Sequence, residues 1–255
     1  MTDMDRERFR QLCVDDLVMH GTDADGIGTY NERRLHRILK RYVTDDAACY
    51  EVKVGKSVAD ILKDGRITEI QTSAFRPLER KIGVYLDTTD HAVSVIHPVI
   101  SEKTIIRADK ETGEVMYSKR SPKHERDIDV LPQMYYLRDF VANMRFEVRL
   151  LHVKVDEYRY SERVRYRREG AYDKDVRPIC LLGETVLCGK DSYRNMLPPS
   201  LFDREFTSAE FSAVSRLKGR KLSLAIGFLV YVGIFERRSE GRRYFYRITD
   251  KGEKG

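Results

Sequence analysis

Residues 58–72 read VADILKDGRITEIQT and set two carboxylates where they could do chemistry. Asp64-Gly65 is the dipeptide that most strongly signals a two-residue type I′ hairpin turn. With that loop, Lys63 pairs with Arg66, Leu62 with Ile67, Ile61 with Thr68 and Asp60 with Glu69. Gln71 falls two residues further along the Glu69 face. Side chains directly opposed on one sheet face have Cβ atoms roughly 4.5–5.5 Å apart, and like charges there repel. Unless the face is solvated, one carboxyl keeps its proton or something positive sits between the two. A hard divalent cation with oxygen ligands would satisfy both groups; a lysine or arginine would do so without a metal.

The elements that must position this pair are legible on either side of it. Apolar periodicity predicts a helix over 5–20, carrying Phe9, Leu12, Cys13 and Leu17 on one stripe, and a second over 30–43 with Leu35, Ile38, Leu39 and Tyr42. GTDADGIGT separates them. A strand over 50–54 precedes the hairpin, SAFRPLERKIGVYLD follows as a helix ending before Thr88, and HAVSVIHPVI reads as a central strand. From the second helix onward the order is helix, three strands, helix, strand. Beyond it come a second hairpin turning at 111–113, a loop SPKHERDID, a helix over 130–144, and a long strand over 145–160. A basic loop SERVRYRREGAYDKDVRP then leads to a strand ICLLGETVLC. His91 and His97 bracket the central strand, where structural roles are expected.

Pro198-Pro199 marks a boundary. After it, Thr207 and Glu210 form a capping box opening a short helix. A turn at 218–220 leads to a helix with Leu222, Ala225, Ile226, Leu229 and Val230 as its stripe, and a hairpin turning at 239–241 follows. Helix, turn, helix and a two-stranded wing is the order of a winged-helix module. The expected division is 1–125 for a core with its N-terminal helix, 126–200 for an α/β extension and 201–255 for the winged helix. The fold class is α/β (α+β), a mixed sheet with helices.

The chain has 255 residues and a formal net charge of +6, compatible with a polyanionic partner. It has no run of eighteen apolar residues, so no membrane span is expected, and its polar first twenty residues do not read as a secretory signal. Cys13, Cys49, Cys180 and Cys188 form no C-x-x-C pair, which argues against a zinc site or disulfide framework and for a reducing cytoplasm.

The element order, with Asp60 in VADI on one hairpin strand and Glu69 and Gln71 in EIQT on the other, resembles the PD-(D/E)xK nuclease superfamily. The likeness covers roughly residues 25–100. It is closest to the competence-protein (CoiA-type) nuclease-like group, in which the final lysine of the motif is replaced by glutamine. The chain is also similar to a bacterial family of unknown function that joins such a core to a C-terminal winged helix. The resemblance implies a restriction-endonuclease-like core in which Asp60 and Glu69 hold Mg²⁺ or Mn²⁺, with the Ile70 carbonyl as a third ligand. Such a metal binds phosphate oxygens and lowers the pKa of an attacking water. Gln71 stands where most members carry a lysine; it can orient a water but brings no charge.

Related folds often add a glutamate from the preceding helix, and Glu32 is the candidate. Glu32, Leu35 and Leu39 share a helical face by spacing, although an acid in a first turn is also favoured by the helix dipole. Lys56 shares the face of Asp60 if the strand runs on without a bulge, and would then supply the missing charge.

In the winged-helix segment, Arg216, Lys218, Arg220 and Lys221 surround the turn, and Arg237, Arg238, Arg242 and Arg243 stud the wing. Basic groups at both places suit the phosphates of DNA. Ser223 and Gly227, read as facing outward on the second helix, offer little for reading bases, so weak sequence preference is expected. The bland use of such a module is homodimerisation. The leading expectation is a cytoplasmic, Mg²⁺-dependent DNA endonuclease-like protein. The alternative is a catalytically inactive nucleic-acid-binding or regulatory protein that kept the fold.

Overall fold

The Asp64-Gly65 turn is built as its residues require. In the structure, a computed structural model describing residues 2–20, 29–161 and 173–249, Asp64 has φ 48° and Gly65 φ 73°. Both central residues thus lie in the left-handed region that a type I′ turn needs. The turn joins β2 (Ser57–Lys63) to β3 (Arg66–Ile70), with Ile61 opposite Thr68, Leu62 opposite Ile67 and Lys63 opposite Arg66. This is the register read from the sequence as far as the ladder runs; it ends at Ile61 and Thr68, one step short of Asp60 and Glu69.

Around the hairpin the order helix, three strands, helix, strand is present. α1 (Asp3–His20) and α2 (Thr29–Val43) precede β1 (Tyr50–Val54), which pairs antiparallel with β2. After β3 the chain crosses through α3 (Leu78–Thr88) into β4 (Ala92–Asp109), which runs parallel to β3. A parallel neighbour demands such a crossover.

β4 is far longer than the sequence suggests, because the expected central strand and the first arm of the second hairpin are one continuous element. Its outer half carries β5 (Val115–Arg120) where β3 has ended. On its other edge lie β6 (Phe146–Ser161), parallel, and β7 (Asp173–Leu187), antiparallel to β6. The resulting seven-stranded mixed sheet has the order β1-β2-β3-β4-β6-β7, with β5 beside β4. Most of the basic loop before β7 lies outside the described residues.

Two apolar layers sandwich the sheet. On one side Phe9, Leu12 and Cys13 of α1 and Leu35, Ile38 and Leu39 of α2 bury against Ile61, Ile70, Ile96 and Leu151. A buried ion cluster pins this layer: Arg34 Nη1 donates to Asp175 Oδ1 at 2.7 Å, and Arg37 pairs with Asp16 at 2.5 Å. On the other side one core runs from α3 through α4 (Leu131–Met134) into the C-terminal elements.

Those elements follow α5 (Gly189–Arg194): β8 (Phe206–Thr207), α6 (Ser208–Ser215), α7 (Gly219–Tyr231), β9 (Phe235–Glu240) and β10 (Arg243–Ile248). The three strands form a small sheet in the order β8-β10-β9. The capping box is present, with Thr207 Oγ1 accepting from the Glu210 N–H and Glu210 Oε2 from the Thr207 N–H at 2.7 Å.

The single helix expected over 130–144 is not formed. Only α4 and two 3-10 turns, Asp127–Val130 and Arg138–Phe140, occupy this stretch. Arg138 donates to the Tyr135 carbonyl at 2.6 Å, taking the acceptor that a continuing helix would use, and stacks over the Tyr135 ring. Tyr135 in turn packs on α7, where a Cβ on Gly227 would lie 3.1 Å from its ring. Gly227 therefore faces the core rather than solvent, and α7 is open mainly at its first turn.

Candidate active site

The two carboxylates meet where β2 and β3 part. Instead of continuing the ladder, Asp60 Oδ2 accepts the Ile70 N–H at 2.8 Å. Asp60 is partly exposed, with its side chain 17% accessible, whereas Glu69 is buried with only 3%. Burial first and the Asp60 charge second push the Glu69 carboxyl up to about 7. The Asp60 charge thus acts on Glu69 in the same direction as burial.

Part of that effect is offset from α3. Lys81 Nζ donates to Glu69 Oε2 at 2.7 Å, and the Tyr85 hydroxyl donates to Oε1 at 3.0 Å. Burial and the Glu69 charge push the Tyr85 phenol far above its ordinary value, so it stays a donor. From α2, His36 Nε2 lies 3.9 Å from Asp60 Oδ2. Burial keeps that imidazole below its ordinary value against the pull of Asp60.

Sequence reasoning misses Lys81, Tyr85 and His36, although a signal exists. Lys81 and Tyr85 are four apart on a helix packed against the sheet, and therefore on one face. His36 is likewise four residues beyond Glu32. Nothing local, however, ties a lysine and a tyrosine on α3 to a hairpin that precedes them in the chain.

The other expected residues fall as follows. Glu32 is in the first turn of α2, and its side chain lies outside the described residues. Lys56 is in the exposed two-residue turn between β1 and β2. No strand exists at that position to carry it onto the Asp60 face, so it does not supply the missing charge. Gln71 turns its amide away from the carboxylates: Nε2 donates to Ala74 O at 2.8 Å and Ser73 Oγ at 3.1 Å. Its carbonyl accepts from His97 Nδ1 at 2.6 Å, which gives His97 its structural role. His91 is not brought to the site.

The donors suit a hard cation in kind. Mg²⁺ keeps several waters and is commonly held by one or two carboxylates, and Asp60 and Glu69 are two, one of them open to water. The Ile70 carbonyl shares the strand edge of its N–H and so faces the same gap. Among the described residues no cluster of three or more His, Cys, Asp or Glu is placed to hold a metal, so the set rests on these two acids. The four cysteines are free.

Among the basic residues of the C-terminal elements, Lys218 is the N-cap of α7, and Arg220 and Lys221 occupy its exposed first turn. Cations there oppose the helix dipole, so they are not placed for helix stability. In the β9–β10 hairpin and beside it, Arg238 is neutralised by Glu205 and Glu240, each at 2.9 Å. Arg237 lies over the Tyr244 ring, while Arg242 and Arg243 are exposed.

These features define a mixed α/β protein with a buried glutamate beside a partly exposed aspartate at a strand junction, and with cationic helical elements packed on the same core. A family model described as Domain of unknown function (DUF8091) matches residues 33–188, more than half of the chain, and the chain belongs to that family. The match runs from α2 through β7 and takes in Asp60, Glu69, Lys81 and Tyr85. No curated protein matches the chain, and no solved structure does. No helix among the described residues is long and apolar enough to cross a membrane.

Proposed function

We propose that the protein is a Mg²⁺- or Mn²⁺-dependent phosphodiester hydrolase acting on DNA, with Asp60 and Glu69 as the metal ligands. The observation that carries this reading is the Asp60–Glu69 pair: two carboxylates at one strand junction, one buried, with the buried one's proton affinity raised by the other. Like charges close together in a poorly solvated place raise each other's proton affinity. A bound divalent ion would draw charge from a phosphate oxygen and lower the pKa of a bound water.

The chain's own groups divide the remaining work. Asp60, hydrogen-bonded by the Ile70 N–H, presents its carboxylate at the open side of the gap. Tyr85 fixes the orientation of Glu69. Lys81 supplies the positive charge that the motif lacks at Gln71, from a helix rather than from the strand. With Glu69 engaged elsewhere, its ammonium is free to face negative charge on a phosphate. Lys218, Arg220 and Lys221 and the wing arginines Arg237, Arg242 and Arg243 hold the DNA backbone.

One observation favours the alternative of a nucleic-acid binder that does not cut. Lys81 and Tyr85 already satisfy both oxygens of Glu69 without any metal. Incubating the purified protein with single-stranded, duplex and branched DNA, with Mg²⁺, Mn²⁺ or EDTA, separates the two. Cleavage that needs the metal and disappears in Asp60→Asn supports the hydrolase. Binding of equal strength in EDTA with no products under any condition supports the binder.

A further inference from the structure

A second site-like feature lies beyond the carboxylates. A cleft of about 820 Å³ opens between the turn that follows Gln71, the middle of β4, residues 122–133 and the α6–α7 turn. Its lining includes Lys103, Lys123, Arg126, Arg216 and Lys221, with His97 at its floor. Two acids also line it, but both are committed. Asp129 pairs with Arg126 at 3.1 Å, and Glu125 Oε2 accepts the Ile100 N–H at 2.8 Å. Lys103 is paired with Glu157. Lys123, Arg216 and Lys221 have no carboxylate partner among the described residues. Lys123 and Arg216 also line the adjoining depression with Lys218 and α6, so the positive surface continues along the module.

The walls are held in place before any ligand arrives. Arg126 Nη2 donates to the Ser215 carbonyl at 2.5 Å, tying the 122–133 segment to the C-terminal elements. Asp127 is anchored to the sheet by the Thr185 hydroxyl, which donates at 2.8 Å, and its other oxygen lies 3.1 Å from His152 Nε2. Burial pushes the Asp127 carboxyl up, but His152 and Thr185 outweigh it and hold the group below its ordinary value. Gln71 fixes the floor, through its side chain to Ser73 and Ala74 and through its carbonyl to His97.

His97 adds a chemical constraint. A carbonyl only accepts, so Nδ1 carries the proton and Nε2 keeps a lone pair. Burial holds the ring below its ordinary pKa, and it is neutral. Nε2 has no hydrogen-bond partner among the described residues, and His97 is part of the cleft's lining. The cleft therefore offers three cations without a carboxylate partner against one carboxylate, Glu125, that keeps its charge, and, at the end nearest Gln71, an acceptor nitrogen. Its volume is that of a small-ligand pocket, with room for a short single strand but not for a duplex.

We infer that this cleft binds single-stranded nucleic acid, with phosphates on Lys123, Arg216 and Lys221 and a neutral sugar or base donor on His97 Nε2. The inference rests on the hydrolase reading for its purpose, leading a strand past Gln71 toward Asp60 and Glu69, but not for its chemistry. Uniform attraction of a bare polyanion would not call for an acceptor at the floor. A nucleotide carries both negative charge and neutral donors.

The test uses the full chain in EDTA, with a fluorescein-labelled octanucleotide as DNA, as RNA of the same sequence, and as duplex DNA, read by anisotropy across a salt series. Lys123→Glu, Lys221→Glu and the double variant remove exposed, unpaired cations, and their unchanged melting temperature confirms folding. The expected result is tighter binding of single strands than of duplex, weakened at least tenfold in the double variant. Its log–log salt slope should fall by about 1.4, at about 0.7 for each phosphate that is no longer neutralised. The DNA and RNA arms show which sugar the cleft takes. Unchanged affinity and slope in the double variant, or duplex binding as tight as single strand, would overturn the inference. Mg²⁺-dependent stabilisation of the same double variant keeps the two readings separate. If it persists while binding is unchanged, only the cleft assignment falls. If the cleft binds as expected but no metal stabilises the protein and nothing is cut, the hydrolase reading falls and the cleft stands.

Discussion

Lys81 Nζ lies 2.7 Å from Oε2 of Glu69 and provides from a helix the positive charge that the hairpin lacks. The charge only partly offsets burial and Asp60, since the Glu69 carboxyl still sits at about 7. Lys81→Met would leave a buried carboxylate without its cation and raise its pKa further. The loss should be on the order of 1.5–3 kcal/mol, as for a hydrogen bond to a charged group. It should be absent near pH 5, begin as Glu69 ionises around pH 7, and be complete only above the variant's still higher pKa. Urea melts at about pH 5 and about pH 9 check this; an equal loss at both would mean that Lys81 contributes only packing.

Glu69 itself gives stability a pH dependence of defined sign. The unfolded chain releases this proton near 4.5, whereas the native state keeps it until about 7. Across that window the folded protein binds more protons, so the contribution is complete below 4.5 and is lost as pH rises through 7. The span corresponds to on the order of 3 kcal/mol. Glu69→Gln should remove this component. The difference between parent and variant unfolding free energies, measured from pH 4 to 8, should therefore slope over the window and flatten above it.

A metal held by the pair should stabilise only a protein that keeps both ligands. With Mg²⁺ or Mn²⁺ at a hundred times its Kd, the parent should gain about 2.7 kcal/mol. Asp60→Asn should gain nothing, while its metal-free stability matches or exceeds the parent's because the like-charge repulsion is relieved. Calorimetric melting with and without metal reads both effects. An equal shift in parent and variant would place the ion elsewhere.

The hairpin is legible in the sequence because its constraints are local. Asp64-Gly65 permits one turn type, and the turn sets the register from Lys63 and Arg66 to Ile61 and Thr68, next to Asp60 and Glu69. The capping box at Thr207 and Glu210 is legible for the same reason. The 130–144 stretch is not, because its helical pattern is overruled by Arg138 capping Tyr135 and by Tyr135 packing on Gly227, a residue far along the chain. The site's cation is hidden in the same way: Lys81 reads as an ordinary polar position on α3 until the β3–α3–β4 crossover brings it over the sheet. Lys56 fails because face parity holds only within a strand, and the β1–β2 turn intervenes.

The arginines of the β9–β10 hairpin are not equivalent. Arg238 is held between Glu205 and Glu240, so Arg238→Ala should change duplex DNA affinity little. Arg242→Ala with Arg243→Ala should lower the salt slope by about 0.9 for each phosphate left without its arginine. Salt titrations of the two variants on one duplex make the comparison; a larger loss from Arg238→Ala would show that the carboxylates release it on binding.

Gln71 offers the sharpest separation of roles. If it stood in for the motif lysine, Gln71→Lys would restore charge to the site. Its amide instead holds the turn at Ser73 and Ala74, with Lys81 already on Glu69. Gln71→Lys should therefore leave the Glu69 pH dependence in place and should not rescue metal-dependent cleavage in a Lys81→Met background. Gln71→Leu should cost about 1–2 kcal/mol through the two broken hydrogen bonds and should weaken single-strand binding by loosening the cleft floor, while stabilisation by Mg²⁺ persists. Cleavage assays on the double variant and binding assays on Gln71→Leu test the two halves. Rescue by Gln71→Lys would return position 71 to the catalytic centre and make Lys81 a supporting ion pair.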